Sequence, residues 1–464
     1  MLESVILGGR QLDRVLAEST AYQELPARDR RFLRLLVTET LRRYHSASAI
    51  LNRQLDRPGK PLQPRPKFVL ILAICQLVWI GSPRHAVVST AVTMMRIVKA
   101  PHLAKLANAV LRRVADQAAA EKHNARPQDA LPDWLASKLT ADWGREETSR
   151  LARLLLMPPA LDLQLCTTPA AATGDNAHGQ QQQRIRQLIM QAEPDAISLA
   201  PEQLRLADGD PKTLPGYAEG HFWIQDAGAA LAATLFGPIA GKTVIDCCSA
   251  PGGKTAQLVM AGAKVTALER DRQRLHRLQQ NMERLKLTPT CLCVDASLWQ
   301  PQHEADAVLA DIPCSATGTI RRRPDILCRQ KPPELEKLAE TQRKILSNSI
   351  TFLAPGGVLI VVSCSLLKAE GEELAAWLDS DTRLEPAPIE DAEIAPFRRH
   401  PGQPPHWLRL MPDSLVLADK PQLEEQQLAA DKTASPTELA RSETEGDRHV
   451  VDAFFIARYK RRQL

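Results

Sequence analysis

Five short β-rich runs, at residues 244–246, 264–269, 290–295, 305–312 and 358–363, recur through the second half of the chain with helical patterns between them. That alternation constrains the fold more than any other feature, because strands joined through helices assemble into one sheet packed with helices. An α/β sheet is the expected class for the region after Leu204, where the composition changes.

The chain before it reads differently. Between Ser4 and about Ala120 apolar residues recur three or four positions apart, as in Leu33, Leu36, Val37 and Leu41, which predicts an all-helical domain. About six helices are expected, broken at Arg57-Pro58-Gly59, Pro64-Arg65-Pro66, Gly81-Ser82-Pro83 and Ala100-Pro101. The apolar stretch 68–80 contains Gln76 and falls short of the ~20 residues a bilayer span needs, so it reads as a buried helix and no membrane is expected. Polar, alanine-rich residues 117–132 read as a linker. The expected domains are a helical one over 1–125, a connecting helical and small α/β subdomain over 126–215 with a polar loop at 170–183, and the sheet domain over 216–464. Residues 413–447 are poor in large apolar side chains and read as a flexible insertion.

Composition narrows the function classes. Hydrophobic residues at 44% and charged residues at 24% exclude wholesale disorder, and 59 Lys+Arg against 54 Asp+Glu leaves a net charge of +5, which does not by itself select nucleic acid. Aromatics at 4% are too few for a repeated base-stacking platform, so an RNA partner would be recognised through its shape. Nine cysteines with no CxxC spacing argue against zinc and against a disulfide scaffold. Residues 1–10 carry Glu3 and lack the basic start and apolar run of a secretory signal, so a cytoplasmic location is expected.

The first strand runs into Cys247-Cys248-Ser249-Ala250-Pro251-Gly252-Gly253-Lys254-Thr255 and then a helix, a geometry in which backbone N–H groups hold a ligand. A phosphate loop would need glycine where Cys248 stands, and a dinucleotide fingerprint would need glycines at Cys248 and Ala250. Small residues at alternate positions after Asp246 fit the first turn of a methyltransferase sheet, with a plain structural turn as the alternative. Glu269 ends the second strand, where an acid can accept from two ribose hydroxyls, or simply face solvent. Asp295 closes the third and could accept from an adenine amino group or form an Asx turn. Two further strands end in Asp311-Ile312-Pro313-Cys314 and Ser363-Cys364-Ser365. Ligands of open α/β sheets bind outside the carboxyl ends of the strands, so both thiols and Asp311 are expected at one crevice, although each cysteine alone could be a small buried hydrophobe.

Asp311-Ile312-Pro313-Cys314-Ser315-Ala316-Thr317-Gly318, Ser363-Cys364-Ser365 and the Ser249 to Thr255 loop together resemble the RNA cytosine carbon-5 methyltransferases. The helical-domain stretches Ala27-Arg28-Asp29-Arg30, Pro83-Arg84-His85-Ala86-Val87 and Asn108-Ala109-Val110-Leu111-Arg112-Arg113, with Leu214-Pro215-Gly216-Tyr217 and Gln225-Asp226, are similar to the bacterial RsmB (Sun or Fmu) branch. The resemblance implies a Rossmann-like class I methyltransferase sheet preceded by an all-α NusB-like domain and a small connecting subdomain. It implies S-adenosylmethionine as cofactor, no metal, and 16S ribosomal RNA as partner, with methylation of a cytosine of the cytosine-967 type. Cys248, Ser249, Ala250, Pro251, Gly252, Gly253 and Lys254 would hold the cofactor, with Glu269 and Arg274 on the ribose side, Asp295 beside the adenine, Asp311 adjoining, and Lys254 reaching the cofactor carboxylate. Cys364 would add to carbon-6 of the base, Cys314 would help remove the carbon-5 proton, and Asp311 would bond to the base. Arg321, Arg322 and Arg323 could contact phosphates, and Arg112-Arg113 and Arg42-Arg43 could extend an RNA surface, unless these are ordinary solvated arginines. Residues 163–167 lack the arginine and asparagine of the family and carry Cys166, which puts one RNA contact in question. Two other readings are a non-enzymatic RNA-binding factor and the same chemistry on transfer RNA or large-subunit RNA.

Overall fold

The computed structural model describes residues 1–55, 62–166, 177–329, 334–416 and 449–463. The expected break at Arg57-Pro58-Gly59 and most of the 413–447 insertion lie outside the described residues. The chain divides into two compact units, Met1–Met157 with Ile320–Pro333, and Pro158–Thr319 with Glu334–Leu464.

Unit one is helical. Among its described residues eleven α-helical segments run from Leu2–Ile6 to Arg145–Leu155, including Ala27–Arg42, Tyr44–Gln54, Pro64–Cys75, Arg84–Ile97 and Ala104–Asp116. The expected count of about six was low because short helices such as Leu12–Glu18 and Thr20–Gln23 are too brief to show a period. Pro64 opens a helix and Gly81, at φ +72°, ends the apolar stretch 68–80, which is largely buried. Residues 118–124 are helical rather than a linker, and the helices at 133–143 and 145–155 belong to this unit, so its boundary falls after Met157 instead of near 125. Alanine-rich sequence is a good helix former even when polar. The short 3-10 turn Pro324–Cys328 is buried here, with the Arg42 guanidinium donating to the Arg321 carbonyl (2.8 Å) and Cys328 Sγ donating to the Leu41 carbonyl (3.4 Å).

Unit two holds two sheets. The smaller is antiparallel, β1 (Leu161–Leu165), β2 (Ile197–Ala200), β3 (Gln203–Leu206) and β4 (Phe222–Ile224), in the order β2-β3-β1-β4. The helix Ala177–Ala192 includes Gln180 to Gln183, which had been expected in a loop; glutamine is a good helix former, and Ile185 and Ile189 bury one face. The larger sheet contains β5 (Thr243–Cys247), β6 (Lys264–Leu268), β7 (Thr290–Leu292), β8 (Ala305–Asp311), β9 (Leu353–Ser363), β10 (Leu384–Pro386), β11 (Trp407–Leu410) and β12 (Phe454–Arg461). Its order is β10-β12-β9-β8-β5-β6-β7, with β11 also on β12. Strands β5 to β9 are parallel, and β12 enters antiparallel beside β9. Successive residues face opposite cores: Ala307 and Leu309 pack on one side with Val244, Ile360 and Val362, while Val308 and Ala310 pack on the other with Ile245, Leu359 and Val361. The strand order reverses between β5 and β8, which opens a crevice at their carboxyl ends. Ser414 and Leu415 are buried, so the packed structure continues past Asp413, where the insertion was expected to begin.

Candidate active site

The loop after β5 is held by side chains from the helix Arg272–Leu285. Arg274 Nη2 donates to the Ala250 carbonyl (2.6 Å) and Asn281 Nδ2 to the Pro251 carbonyl (2.8 Å), two turns apart on one helix face. Ser249 donates from its N–H and Oγ to the Leu268 carbonyl (3.0 and 3.1 Å), tying the loop to the end of β6. Gly252 has φ +104°, and a Cβ there would crowd Met282, so only glycine suits this turn into the helix Gly253–Met260.

Glu269 sits just past β6, 2% exposed. Its Oε1 accepts from the Asp271 N–H (3.0 Å), whereas its buried Oε2 has no hydrogen bond among the described residues and lies 3.2 Å from Arg274 Nη1. Asp295 forms the Asx turn, its Oδ1 accepting from Ser297 N (2.9 Å) and Ser297 Oγ (2.7 Å), and these bonds hold its carboxyl below the usual range. Asp246, at the end of β5, is fully buried; Thr255 Oγ1 donates to Oδ2 (2.6 Å) and Oδ1 has no hydrogen-bond partner among the described residues.

Across the crevice, Lys254 Nζ donates to Asp311 Oδ2 at 2.8 Å. Burial opposes the Lys254 charge, but Asp311 outweighs it and the lysine pKa is raised. Cys314 and Cys364, from the ends of β8 and β9, have their sulfurs 3.3 Å apart. Gly318 donates its N–H to the Cys364 carbonyl (2.9 Å) and accepts from the Ala453 N–H (3.0 Å); a Cβ at Gly318 would overlap the carbonyl oxygens of Cys364 and Ala453. The sequence therefore brings Asp311, Cys314 and Cys364 together as expected, with Lys254 added. Sequence reasoning missed Asn281, whose spacing from Arg274 was the available signal, and the buried Glu370 and Gln342 behind Cys314, for which no local signal exists.

The RNA-contact expectation is corrected in part. Arg321 is 1% exposed and Arg42 3%, the latter paired with Glu39, so neither side chain lies on a surface that could meet phosphate. A turn packed among helices buried what had read as a basic loop. Arg322, Arg112 and Arg113 are exposed, Arg323 is half-buried, and Arg113 Nη2 donates to the Gln54 carbonyl (2.8 Å). Cys166 donates to the Gly220 carbonyl (3.1 Å), and burial pushes its thiol up to about 12.

A sheet that reverses order beside a glycine turn, with a buried carboxylate at the end of the next strand whose Oε2 accepts no hydrogen bond among the described residues and pairs only with the Arg274 guanidinium, fits a ligand that carries a ribose diol and approaches the loop backbone closely. That is the cofactor half of an S-adenosylmethionine-dependent methyltransferase. A profile of the family described as 16S rRNA methyltransferase RsmB/F matches residues 233–460, and one of the NusB family matches residues 1–116. Ribosomal RNA small subunit methyltransferase B of Xylella fastidiosa (strain 9a5c) is 34% identical over 390 residues, which cover 82% of this chain and 88% of that protein. The protein of the same name from Vibrio cholerae is 33% identical, over 78% of this chain and 85% of its own. Among solved structures, PH0851 aligns over 99% of this chain and 97% of its own with TM-score 0.70 at 19% identity. NSun6 from Pyrococcus horikoshii with SFG aligns over 72% of this chain and 99% of its own with TM-score 0.52 at 17% identity. The two solved structures share the fold. The chain belongs to the RsmB/F rRNA methyltransferase family and is an S-adenosylmethionine-dependent RNA methyltransferase.

Two consequences follow for the cofactor side. Glu269→Ala is expected to weaken S-adenosylmethionine binding at least about tenfold, since a hydrogen bond to a charged group contributes about 1.5–3 kcal/mol; calorimetric titration measures it, and an unchanged affinity would remove Glu269 from the site. Asp246 is driven up to about 7, by burial first, with the Thr255 bond opposing and the Asp311 and Glu269 charges adding. A carboxyl raised above its unfolded value contributes full stability below about pH 4 and loses it as pH climbs through 7. Asp246→Asn is therefore expected to raise unfolding free energy by about 2–4 kcal/mol at pH 8 and by almost nothing at pH 4. Urea midpoints at the two pH values measure the difference, and equal gains at both would exclude ionisation as the cause.

Proposed function

We propose that this chain methylates carbon-5 of a cytosine in 16S ribosomal RNA, in the cytoplasm, through a covalent adduct between Cys364 and carbon-6 of the base. The cytosine-967 type of site is the one the family resemblance favours. The observation that carries the reading is the Cys314–Cys364 pair, with sulfurs 3.3 Å apart beside a lysine-paired carboxylate at the strand ends. Carbon-5 of cytosine is a weak nucleophile until a thiolate adds at carbon-6 and makes an enamine. Bound S-adenosylmethionine supplies the activated methyl group, and the loop from Cys248 to Lys254 with Glu269 would hold it. Cys364 adds through its sulfur and later leaves with the electrons of the C–S bond. Cys314 gives up its resting proton to solvent once Cys364 is a thioether and no longer shares it, and as a thiolate takes the carbon-5 proton whose loss drives that departure. Asp311, held by Lys254, bonds to the base at nitrogen-3 and the amino group and offsets charge that develops there.

The test incubates the protein with methyl-labelled S-adenosylmethionine and unmodified 16S RNA, large-subunit RNA and bulk transfer RNA, followed by nucleoside analysis. Label in 5-methylcytosine of 16S RNA is the expected outcome. Label in 5-methylcytosine of another RNA would overturn the substrate and leave the chemistry; label on any other atom of a base would overturn the chemistry.

A further inference from the structure

Behind the two thiols lies a carboxylate that the reaction outlined above does not use. Glu370, in the 3-10 turn Lys368–Glu370 after β9, is 1% exposed, and no lysine or arginine pairs with it among the described residues. Its Oε1 accepts from the Ser315 N–H (2.8 Å) and from Gln342 Nε2 (3.1 Å), and its Oε2 accepts from Ser315 Oγ (2.5 Å). Gln342, fully buried on the helix Leu335–Phe352, donates from the same Nε2 to the Pro313 carbonyl (2.9 Å). The Ser365 Oγ stands 3.0 Å from Ser315 Oγ and 3.2 Å from Thr317 Oγ1. One carboxylate thus ties the residues on both sides of Cys314 and, through Ser315, the residue that follows Cys364. A buried anion without a cation is costly to fold around, and the three donors aimed at Glu370 offset that cost.

We propose that Glu370 is a positioning residue that gives the two sulfurs separate roles: it clamps the Cys314 loop to the Cys364 strand end, and its charge keeps Cys314 a thiol, hydrogen-bonded to Cys364, in the resting enzyme. The proposal rests on the roles of Cys314 and Cys364 given under Proposed function. The neighbouring Cys364 sulfur, burial and the Glu370 charge all push the Cys314 thiol up. The other charged groups nearby are the Lys254–Asp311 pair and Arg409, which is itself neutralised by Glu372 (2.6 Å) while donating to the Ser365 carbonyl. An anion therefore sits behind Cys314 and a cation lies on the Asp311 side, so the pair of sulfurs is not symmetric.

The experiment follows iodoacetamide alkylation of Cys314 by peptide mass spectrometry from pH 6 to 11 in Cys364→Ser protein, without RNA or cofactor. In Glu370→Gln on that background, which keeps an acceptor for the Ser315 N–H and removes the charge, the midpoint is expected to fall by a pH unit or more. Glu370→Asp, which restores the charge, is expected to recover at least half of that shift. A midpoint unchanged by Glu370→Gln overturns the proposal, as does a shift that Glu370→Asp leaves in place. Ser315→Ala on the same background keeps the charge and breaks the clamp. It decides the matter should Glu370→Gln fail to fold: Cys314 alkylation at pH 8 is expected to quicken threefold or more, and an unchanged rate overturns the proposal. The alkylation profile needs no methyl transfer, so a shifted midpoint in protein that methylates no RNA would defeat the functional reading alone.

Discussion

Cys364→Ala is expected to reduce methyl incorporation into RNA by at least about a thousandfold, because carbon-5 of the base gains its electrons only after a nucleophile has added at carbon-6. The substitution removes a sulfur and little else. The Cys364 main chain keeps its bond from the Gly318 N–H at 2.9 Å, and neither Lys254 nor Asp311 depends on the thiol for its own pairing. S-adenosylmethionine affinity and far-ultraviolet circular dichroism are therefore expected to stay at wild-type values. Cys314 does not stand in for the lost group, since burial and the Glu370 charge still push its thiol up once the Cys364 sulfur is gone. A loss smaller than about tenfold would deny Cys364 the role of nucleophile and leave Cys314 as the residue to test.

Cys314→Ser is expected to produce the opposite kind of failure. The first half of the reaction proceeds, because Cys364 and the cofactor loop are untouched, but the carbon-5 proton is removed slowly and the C–S bond persists. Turnover should fall by about 10²–10⁴, the usual contribution of a positioned acid or base. A protein–RNA band that survives denaturing electrophoresis should appear, and it should vanish in the Cys314→Ser, Cys364→Ala double variant. Measuring band and methyl label together separates the steps: a band that carries label places the block after methylation. Absence of any band, with turnover reduced, would assign Cys314 to packing. The 3.3 Å between the sulfurs makes that outcome a sharp test, because either thiol is close enough to affect the other structurally.

Much of the larger sheet was legible in advance because each of its parallel strands announces itself locally. Residues such as 307–310 are apolar on both faces, as strands covered by helices must be, and the strand ends in a polar turn. The Asx turn at Asp295 was equally readable, since its acceptor and donor are two residues apart. The helix 177–192 was misread because glutamine and alanine mark both loops and helices, and only the burial of Ile185 and Ile189 against the small sheet selects the helix. Arg321 was misread for a related reason. A run of three arginines predicts exposure, yet the residues after it, Pro324–Cys328, pack into the helical unit and bury the first of the three.

The sequence by itself determined the helical and α/β division, the positions along the chain of the parallel strands, and the presence of two cysteines and an aspartate at strand ends. Those properties depend on hydrophobic period and on turn chemistry, which act over a few residues. Only the tertiary structure decided that Lys254 bonds to Asp311, that Arg274 and Asn281 hold the loop after β5, and that Glu370 stands behind Cys314 with Gln342 and Ser315. Each of those contacts joins residues from separate strands or helices, and no local pattern encodes a distance across a sheet. Packing supplies it, because the partners of a buried charge are whatever polar groups the folded chain brings within reach.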